Sequence, residues 1–351
     1  MYLLSLQTAD PPTAFTQQEC LEVFLESEVR KRLKPRSGEL LEKVLSGDSG
    51  IDTRRFCYTD LSGIFDLGPE DLNRIFEREA SRLGGAALEK ALRESGLTHD
   101  ELDGLVVCTC TGYVCPGLSS FIAEQVGLRD DCELIDLVGM GCGAAIPSLR
   151  VVHQQLAADP QRKIAMIAVE ICSAAFYLDD DPGVLISACL FGDGAAASIW
   201  TGQPPEFPSW MAGNFDSLHL PEKRPFLRFV NSNGALKNKL SIRVPAEAGN
   251  AVRTLWERAL ARGLDPATPI LPHTGGRDVM DALEQRFEGR HFTESRKILR
   301  RHGNMSSPSV LYVLQEYLRR QGDPDGPLWL TSFGAGFSAY SMVLEPVTRN
   351  P

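Results

Sequence analysis

One cysteine lies in a sequence context that favours nucleophilic chemistry. Cys142 stands among small residues in the stretch Val138-Gly-Met-Gly-Cys-Gly-Ala-Ala-Ile-Pro147. The segment 132–138 before it predicts a strand, and apolar residues at helical spacing after it predict a helix. A thiol at such a turn lies beside free backbone N–H groups and the positive end of the helix dipole, which lower its pKa from about 8.5. This context predicts a reactive thiolate, and a buried cysteine packed at a helix start is the alternative.

Two polar residues in the second half of the chain stand in glycine-rich loops, where catalytic groups are common. His273 follows the apolar segment Ile270-Leu-Pro272 and precedes Thr-Gly-Gly. Asn304 lies between Gly303 and a predicted helix start. Each is also typical of an ordinary loop, as a solvated histidine or a turn asparagine. Their occurrence in one chain with Cys142 favours a catalytic role.

The elements that must position these residues alternate between strand and helix patterns, which predicts an α/β fold. Helices are predicted over 17–45, 69–96, 248–262 and 277–287, and further strands over 104–109 and 164–170. Thr16 and Glu19 predict a capping box at the start of the first helix.

A repeated motif indicates internal duplication. Phe191-Gly-x-Gly194 is echoed by Phe333-Gly-x-Gly336, beyond a proline-rich connection at 203–208. We therefore predict two similar halves, with residues 1–205 carrying the cysteine and residues 206–351 carrying the histidine and the asparagine.

Composition narrows the class of protein. The chain has 351 residues, 43% of them hydrophobic, which is enough for a large core. Its net charge of −10 argues against general binding to nucleic acids or anionic membranes. The N-terminus lacks the pattern of a signal peptide, and no apolar run reaches membrane-spanning length. The 9 cysteines form no repeating frame, so a reduced, cytoplasmic protein is expected.

Three of these cysteines are close in sequence. Cys108, Cys110 and Cys115 allow a zinc site, but they lack a matched second pair of ligands. Alternation over 105–110 instead favours a strand whose small side chains face a cavity, and we predict no metal site.

Four motifs together resemble those of the type III polyketide synthases, the chalcone synthase-like branch of the thiolase fold. They are Gly-Met-Gly-Cys142-Gly-Ala-Ala, Cys189-Leu-Phe191-Gly-Asp-Gly-Ala-Ala-Ala, His273-x-Gly-Gly and Gly303-Asn304-Met-Ser-Ser. The resemblance extends nearly from end to end of the chain. It implies a pseudo-duplicated, five-layered α/β/α/β/α fold and a homodimer.

The resemblance also implies roles for the matching residues. Cys142 would take an acyl group from CoA, and His273 would hold the thiolate in an ion pair. His273 and Asn304 would stabilise the enolate that forms when malonyl-CoA loses CO₂. Phe191 would be an aromatic gate between the CoA tunnel and the reaction cavity. Acyl-CoA and malonyl-CoA are the implied partners, and no further cofactor is implied.

The positions predicted by this resemblance to contact substrate hold mostly small residues. They are Cys110, Thr111, Cys172, Ala175, Gly275 and Ser306. Small walls leave volume for a long acyl starter or several extensions, and simple close packing is the alternative. The family's second gating phenylalanine has no secure counterpart here, and the terminal loop Ser332-Phe-Gly-Ala-Gly336 departs from the usual Gly-Phe-Gly-Pro-Gly.

Three basic residues stand out in this acidic chain. Lys43, and less securely Arg54 and Arg55, fall in the region where the family holds the phosphates of CoA. Ordinary solvated surface is the alternative interpretation.

The sequence therefore predicts a cytoplasmic, homodimeric type III polyketide synthase that releases a cyclised polyketide. The context of Cys142 resembles that of bacterial alkylresorcinol and alkylpyrone synthases, which favours a fatty acyl starter. One rival is a β-ketoacyl-acyl-carrier-protein synthase III, which performs a single condensation but normally carries His-Gln-Ala-Asn and Gly-Asn-Thr-Ser. The other is a non-catalytic acyl-CoA-binding protein on the same fold.

Overall fold

A computed structural model describes residues 1–232, 234–321 and 326–347 of the chain. Within these ranges the strands are β1 Tyr2–Ala9, β2 Thr13–Thr16, β3 Thr53–Phe56, β4 Gly104–Thr109, β5 Glu133–Val138, β6 Lys163–Glu170, β7 Gly194–Thr201, β8 Ser209–His219, β9 Leu227–Ser232, β10 Ala235–Leu240, β11 Ile270–Pro272, β12 Leu328–Gly334 and β13 Ser338–Val347. The helices are α1 Gln17–Glu26, α2 Glu28–Arg32, α3 Pro35–Ser46, α4 Pro69–Ser95, α5 Leu118–Val126, α6 Ala145–Ala158, α7 Pro182–Leu190, α8 Val244–Ala261, α9 Arg277–Arg286, α10 Thr293–His302 and α11 Ser309–Gln321. Strands and helices alternate as predicted, which confirms the α/β class.

The main sheet has nine strands in the order β11-β12-β13-β8-β1-β7-β6-β4-β5. β4 runs parallel to β5 and β6, and β11 runs parallel to β12, whereas the other neighbours are antiparallel. β1 and β8 meet at one register pair, Tyr2 and Met211, so the sheet has two parts joined at this point. Two short ribbons, β2–β3 and β9–β10, lie outside it.

Five layers follow from the alternation of side chains along the strands. In β4, Leu105 and Val107 pack with the residues of α4 and α5, while Val106 and Cys108 pack against the opposite layer. That layer consists of α6 and α11, which lie between the two parts of the sheet. On the far side, α8 and α9 cover the second part of the sheet. This order of helices, sheet, helices, sheet and helices confirms the predicted five-layered fold.

The N-terminal helical region differs from its prediction. The single helix expected over 17–45 is three helices, because Ser27 adopts an extended backbone and Pro35 begins α3. Proline has no N–H to continue a preceding helix and disfavours helical geometry in the residue before it. The capping box between Thr16 and Glu19 is confirmed.

Helix α10 was not among the predicted helices. Its ten residues include four arginines or lysines and one histidine, and Ile298 and Leu299 are among its buried positions. Apolar residues are therefore too few to show the periodicity that predicts a helix. Across the described residues, none of the helices combines the length with the apolar character required to cross a membrane.

The two halves correspond in their layers, but the repeated motif has a different local structure in each half. α6 and α11 occupy matching central positions. Phe191-Gly-x-Gly194 joins α7 to β7, whereas Phe333-Gly-x-Gly336 makes the turn between β12 and β13. Both motifs nevertheless lead into the second strand of an antiparallel pair, β6–β7 or β12–β13. The boundary near residue 205 stays a prediction, since one sheet runs through both parts.

Candidate active site

Cys142 lies in a 3₁₀ turn, Gly141–Gly143, between β5 and α6, as the sequence predicted. The β12–β13 hairpin packs against this turn so closely that glycine is required. A Cβ atom on Gly334 would lie 2.6 Å from the amide nitrogen of Gly143 and 3.1 Å from that of Cys142. The hydroxyl of Ser332 also donates to the carbonyl of Gly143 at 3.1 Å. The second half of the chain therefore fixes the position of the cysteine in the first half.

His273 follows β11 and is fully buried. Its backbone N–H donates to the carbonyl of Thr331 at 2.8 Å, and its ring packs edge-on against Phe333 with 5.3 Å between centroids. Among the described residues, neither ring nitrogen has a hydrogen-bond partner. Because Phe333 precedes Gly334, the same hairpin positions both the histidine ring and the cysteine turn.

Asn304 is held through its backbone and its side chain. Its N–H donates to the carbonyl of Leu190 at 2.9 Å, and its own carbonyl accepts from the N–H of Gly192 at 3.0 Å. These bonds pair it with Phe191. Its Nδ2 donates to the carbonyl of Gly275, in the histidine loop, at 3.0 Å. Asn304 therefore connects that loop with the Phe191 segment.

Ser306 connects the asparagine with the cysteine. Its backbone N–H donates to Oδ1 of Asn304 at 2.8 Å. Its hydroxyl lies 3.1 Å from Sγ of Cys110, and it is close enough to Cys142 to lower the pKa of that thiol. Through these contacts the loops of the three candidate catalytic residues meet in one buried site.

A buried carboxylate that the sequence analysis missed lies behind this site. Glu170, at the end of β6, accepts hydrogen bonds from the backbone N–H groups of Cys110 and Thr111 at 2.9 and 3.1 Å. It also accepts from the hydroxyls of Thr111 and Ser307, at 2.8 and 2.6 Å, and from that of Ser306 at 3.3 Å. The signal available in the sequence was a lone acidic residue at the end of an otherwise apolar strand. A charge buried at such a position must be extensively hydrogen-bonded, which would have marked Glu170 as part of a polar network.

Burial sets the charge state of the resting site. It raises the pKa of Cys142 to about 12, against the hydrogen bond from Ser306, and the negative charge of Glu170 acts in the same direction as burial. Burial also lowers the pKa of His273 to about 3. A neutral thiol and a neutral imidazole are therefore favoured at pH 7. The predicted lowering of the thiol pKa is wrong for this state, because desolvation outweighs the helix dipole.

A cavity adjoins the site. Five residues predicted to contact substrate line it, namely Thr111, Cys172, Ala175, Phe191 and Ser306. The other two lie outside this lining. Cys110 contacts Glu170 and Ser306 through its thiol, and Gly275 accepts a hydrogen bond from Asn304.

Two further cavity residues come from the β9–β10 ribbon. Phe229 and Asn238 lie directly opposite each other in its register, and both line the cavity. Phe229 supplies a second aromatic wall beside Phe191, where the sequence offered no secure counterpart for one. The ribbon was not recognised because its position over the cavity depends on contacts with distant parts of the chain.

Arg54 supports the Phe191 segment. Its Nη1 donates to the carbonyls of Ala188 and Phe191 at 2.5 and 2.9 Å, and its Nε donates to Oε1 of Gln17 at 2.9 Å. The side chain is fully buried, with its guanidinium 5.0 Å from the centre of the Phe56 ring. The prediction that Arg54 binds a CoA phosphate is therefore wrong, because the side chain is fully buried, with Nη1 directed to the end of α7 and Nε to Gln17.

The other two basic residues have different surroundings. Arg55 is half-buried, and its Nη1 donates to the carbonyl of Pro11 at 2.9 Å. Lys43 is exposed on α3. A CoA-binding role for either residue stays a prediction.

The three neighbouring cysteines have separate environments. Cys108 is buried in β4, which confirms the predicted strand, and Cys115 is exposed. Cys110 donates from Sγ to Oε1 of Glu170 at 3.2 Å. In the part of the chain that the structure describes, no group of three or more histidine, cysteine, aspartate or glutamate residues is arranged to hold a metal ion.

Two family models together match most of the chain. A family model described as FAE1/Type III polyketide synthase-like protein matches residues 1–207. A second, for the C-terminal domain of chalcone and stilbene synthases, matches residues 233–348.

Curated relatives and solved structures agree with these matches. A 3,5-dihydroxyphenylacetyl-CoA synthase of Streptomyces toyocaensis is 29% identical over 343 residues, which cover 92% of this chain and 84% of the relative. The crystal structure of 1,3,6,8-tetrahydroxynaphthalene synthase from Streptomyces coelicolor A3(2) has a TM-score of 0.89 at 25% identity and covers 99% of this chain and 100% of its own. PKS-I from the brown alga Ectocarpus siliculosus shares the fold, with a TM-score of 0.88 at 21% identity over 98% of each chain.

The buried position of Arg54 predicts a structural role. Arg54→Met should lower the free energy of unfolding by about 2–4 kcal/mol, because it leaves the carbonyls of Ala188 and Phe191 without their donor. Arg55→Met, at the half-buried neighbour, should cost less than about 1 kcal/mol. Chemical denaturation measures both effects. Unchanged stability of Arg54→Met together with a raised KM for CoA thioesters would restore the phosphate-binding role.

The neutral resting site predicts a distinctive pH dependence of thiol reactivity. Below its pKa, the thiolate fraction of Cys142 grows about tenfold per pH unit, so its rate of alkylation by iodoacetamide should rise from pH 6 to 9 without a plateau. Peptide mass spectrometry measures the rate at Cys142 and, as an internal reference, at the exposed Cys115. A rate that is already maximal at pH 6 would instead show a preformed thiolate–imidazolium pair.

Proposed function

The chain belongs to the FAE1/type III polyketide synthase-like family, and we propose that its reaction takes place on Cys142, His273 and Asn304. Enzymes of this kind are acyltransferases that join CoA thioesters by decarboxylative condensation. The observation that carries the assignment is the continuous set of contacts, through Phe333, Ser306 and the Asn304 amide, that joins the three loops around one buried site.

In the loading step, Sγ of Cys142 attacks the carbonyl carbon of an acyl-CoA. Because the thiol and the imidazole rest in their neutral forms, His273 takes the thiol proton as the new C–S bond develops. The bond between the acyl carbon and the CoA sulfur then breaks, and the proton passes from His273 to the departing sulfur. The acyl group remains on Cys142 as a thioester.

In the extension step, malonyl-CoA loses CO₂ and its thioester oxygen gains enolate charge. One hydrogen of Asn304 Nδ2 bonds Gly275, so the other can donate to this oxygen together with an N–H of His273. The enolate carbon attacks the acyl carbonyl and forms a C–C bond. Cys142 leaves as a thiolate and is reprotonated, and the extended chain remains on CoA.

The dry cavity directs the enolate toward condensation. Phe191 and Phe229 both line it, and their rings limit the access of water that would protonate the enolate carbon. The buried state of all three catalytic side chains is consistent with this role.

The starter and product are finer proposals. The relatives' names denote a dihydroxyphenylacetyl and a tetrahydroxynaphthalene product, and we infer a cyclised phenolic or pyrone product here. The fatty acyl starter, suggested by the context of Cys142, stays a prediction. Incubation with a panel of acyl-CoAs and labelled malonyl-CoA tests it by mass spectrometry, and activity confined to short aromatic starters would contradict it.

We infer that Lys43 assists binding of CoA phosphates. It is exposed on α3, whose buried residues pack in one cluster with α7 and Phe191 at the cavity. Lys43→Ala should raise KM for CoA thioesters with little change in kcat, because a remote phosphate contact contributes equally to the ground state and the transition state. Lys31→Ala, at an exposed lysine paired with Glu28, is the control.

We also infer a homodimer formed along β5. β5 ends the main sheet, and edge strands present unpaired backbone groups. Leu134 and Val138 of β5 are 39% and 48% exposed, and Tyr113, in the loop after the neighbouring strand β4, is 76% exposed. A second copy would cover this apolar edge. Sedimentation should show a dimer that Leu134→Glu combined with Val138→Glu converts to a monomer.

A reduced compartment, the cytoplasm, is the proposed location. All nine cysteines are unpaired, and Cys142 must remain a free thiol to act as the nucleophile. Fractionation of the source cells tests this location.

The catalytic assignment predicts that variants of Cys142 and Asn304 lose different steps of the reaction. Cys142→Ala should abolish product formation and the covalent acyl adduct. Asn304→Ala should lower CO₂ release from malonyl-CoA by about 10²–10³-fold, since it removes one enolate donor, while the adduct on Cys142 still forms. Labelled malonyl-CoA measures CO₂ release, and intact-protein mass spectrometry measures the adduct.

Cys115→Ala is the matched control, because this exposed cysteine lies outside the site, and it should keep full activity. Unchanged malonyl-CoA turnover in Cys142→Ala would overturn the assignment. A requirement for a malonylated carrier protein in place of malonyl-CoA would favour the single-condensation alternative.

A further inference from the structure

One polar side chain of the cavity wall has an unused hydrogen-bonding atom. Asn238, in β10, is 7% exposed and lines the cavity. Among the described residues, its Oδ1 atom has no hydrogen-bond partner. A buried carbonyl oxygen without a donor is unfavourable, so the position is expected to serve an occupant of the cavity.

The neighbouring serine determines which way the Asn238 amide points. The hydroxyl of Ser187 donates its proton to the carbonyl of Gly183 at 2.6 Å. Its oxygen is therefore an acceptor toward Asn238, whose Nδ2 donates to it at 3.0 Å. The reversed amide would bring two acceptors together. Oδ1 is thus the atom left for a ligand.

The β9–β10 ribbon holds Asn238 in this position. Its neighbours Lys237 and Lys239 form ion pairs with Asp179, at 2.6 Å, and with Asp181, on the loop before α7. Because side chains alternate along a strand, the lysines and Asn238 lie on opposite faces. The register partner of Asn238 is the cavity residue Phe229, which confirms that this face of the ribbon looks into the cavity.

The surroundings define what kind of ligand atom would satisfy Oδ1. The nearby wall is apolar and includes Phe176, Val184, Ala188 and Phe229. Two polar residues of the lining, Thr111 and Ser306, already donate to Glu170. An acceptor in an apolar wall selects for an O–H group on the occupant. An alkyl chain has none, whereas an enolised or phenolic polyketide chain has several.

We propose that Asn238 is a specificity-determining residue whose Oδ1 accepts a hydrogen bond from an enol or phenol hydroxyl of the growing chain. This hydrogen bond retains poly-β-keto chains in the cavity long enough for further extension. An alkyl chain has no hydroxyl and cannot form it. This assignment rests on the proposed polyketide synthase function and adds to it the chemistry of the preferred intermediate.

The test compares product length in three variants. Asn238→Leu removes the acceptor at similar volume, and Ser187→Ala removes the partner that orients the amide. Asn231→Leu changes an exposed asparagine of the same ribbon and is the control. Each purified enzyme receives malonyl-CoA alone, or malonyl-CoA with decanoyl-CoA, and products are measured by mass spectrometry beside CO₂ release and thermal melting.

With malonyl-CoA alone, Asn238→Leu should lower the ratio of the longest product to the shortest lactone by roughly tenfold or more, because one buried hydrogen bond is lost. Ser187→Ala should lower it less, and Asn231→Leu should leave it unchanged. The first extension of decanoyl-CoA should proceed at the native rate in all three variants. At that stage the acyl chain is a plain hydrocarbon and has no hydroxyl to bond Asn238.

An unchanged product ratio in a folded Asn238→Leu enzyme would overturn the proposal. A selective loss of decanoyl-CoA extension, or a complete loss of CO₂ release, would also overturn it, because Asn238 would then serve the starter or the condensing chemistry. Failure of the proposed function has a different signature, namely no CO₂ release by the native enzyme with any malonyl-CoA mixture.

Discussion

The turn that carries Cys142 and the end of β12 approach each other more closely than any side chain between them would permit. Gly334 faces the amide nitrogens of Gly143 and Cys142 across a gap that a methyl group would close. Phe333, the preceding residue, packs against the ring of His273. A single hairpin thus sets the cysteine and the histidine relative to each other. Catalysis by oriented groups is sensitive to displacements of about 1 Å, so this backbone contact constrains the whole site.

Burial of the site has two opposing effects. It excludes water from the site, but it also favours the neutral forms of Cys142 and His273. Glu170 adds a negative charge nearby, and it is satisfied by backbone N–H and hydroxyl donors. A protonated sulfur is therefore favoured in the resting site. In the proposed loading step, this proton passes to the imidazole of His273, which has no hydrogen-bond partner among the described residues.

The end of α7 links the core to the cavity. Arg54 donates to the carbonyls of Ala188 and Phe191, where the dipole of α7 has its negative end, so these carbonyls stabilise the buried cation. Asp193, just beyond Phe191, accepts from the hydroxyl and N–H of Ser173, at 2.6 and 2.9 Å, and burial raises its pKa to about 6. These contacts hold one wall of the cavity from both sides. The segment that carries Phe191 is therefore positioned by buried polar groups on both sides.

Features that depend on local interactions could be predicted from the sequence. The capping box at Thr16, strand β4 and the strand-to-helix turn at Cys142 follow from residues within a few positions of each other. The motifs around Cys142, His273 and Asn304 also indicated the family. Contacts between residues far apart in the sequence could be seen only in the folded structure. Arg54 contacts Ala188 across 134 positions of sequence and Glu170 meets Ser307 across 137, so neither the buried role of the arginine nor the carboxylate behind the site could be inferred from pattern. The pKa of Cys142 belongs to the same class, because desolvation depends on everything that surrounds the sulfur and not on its neighbours in the chain.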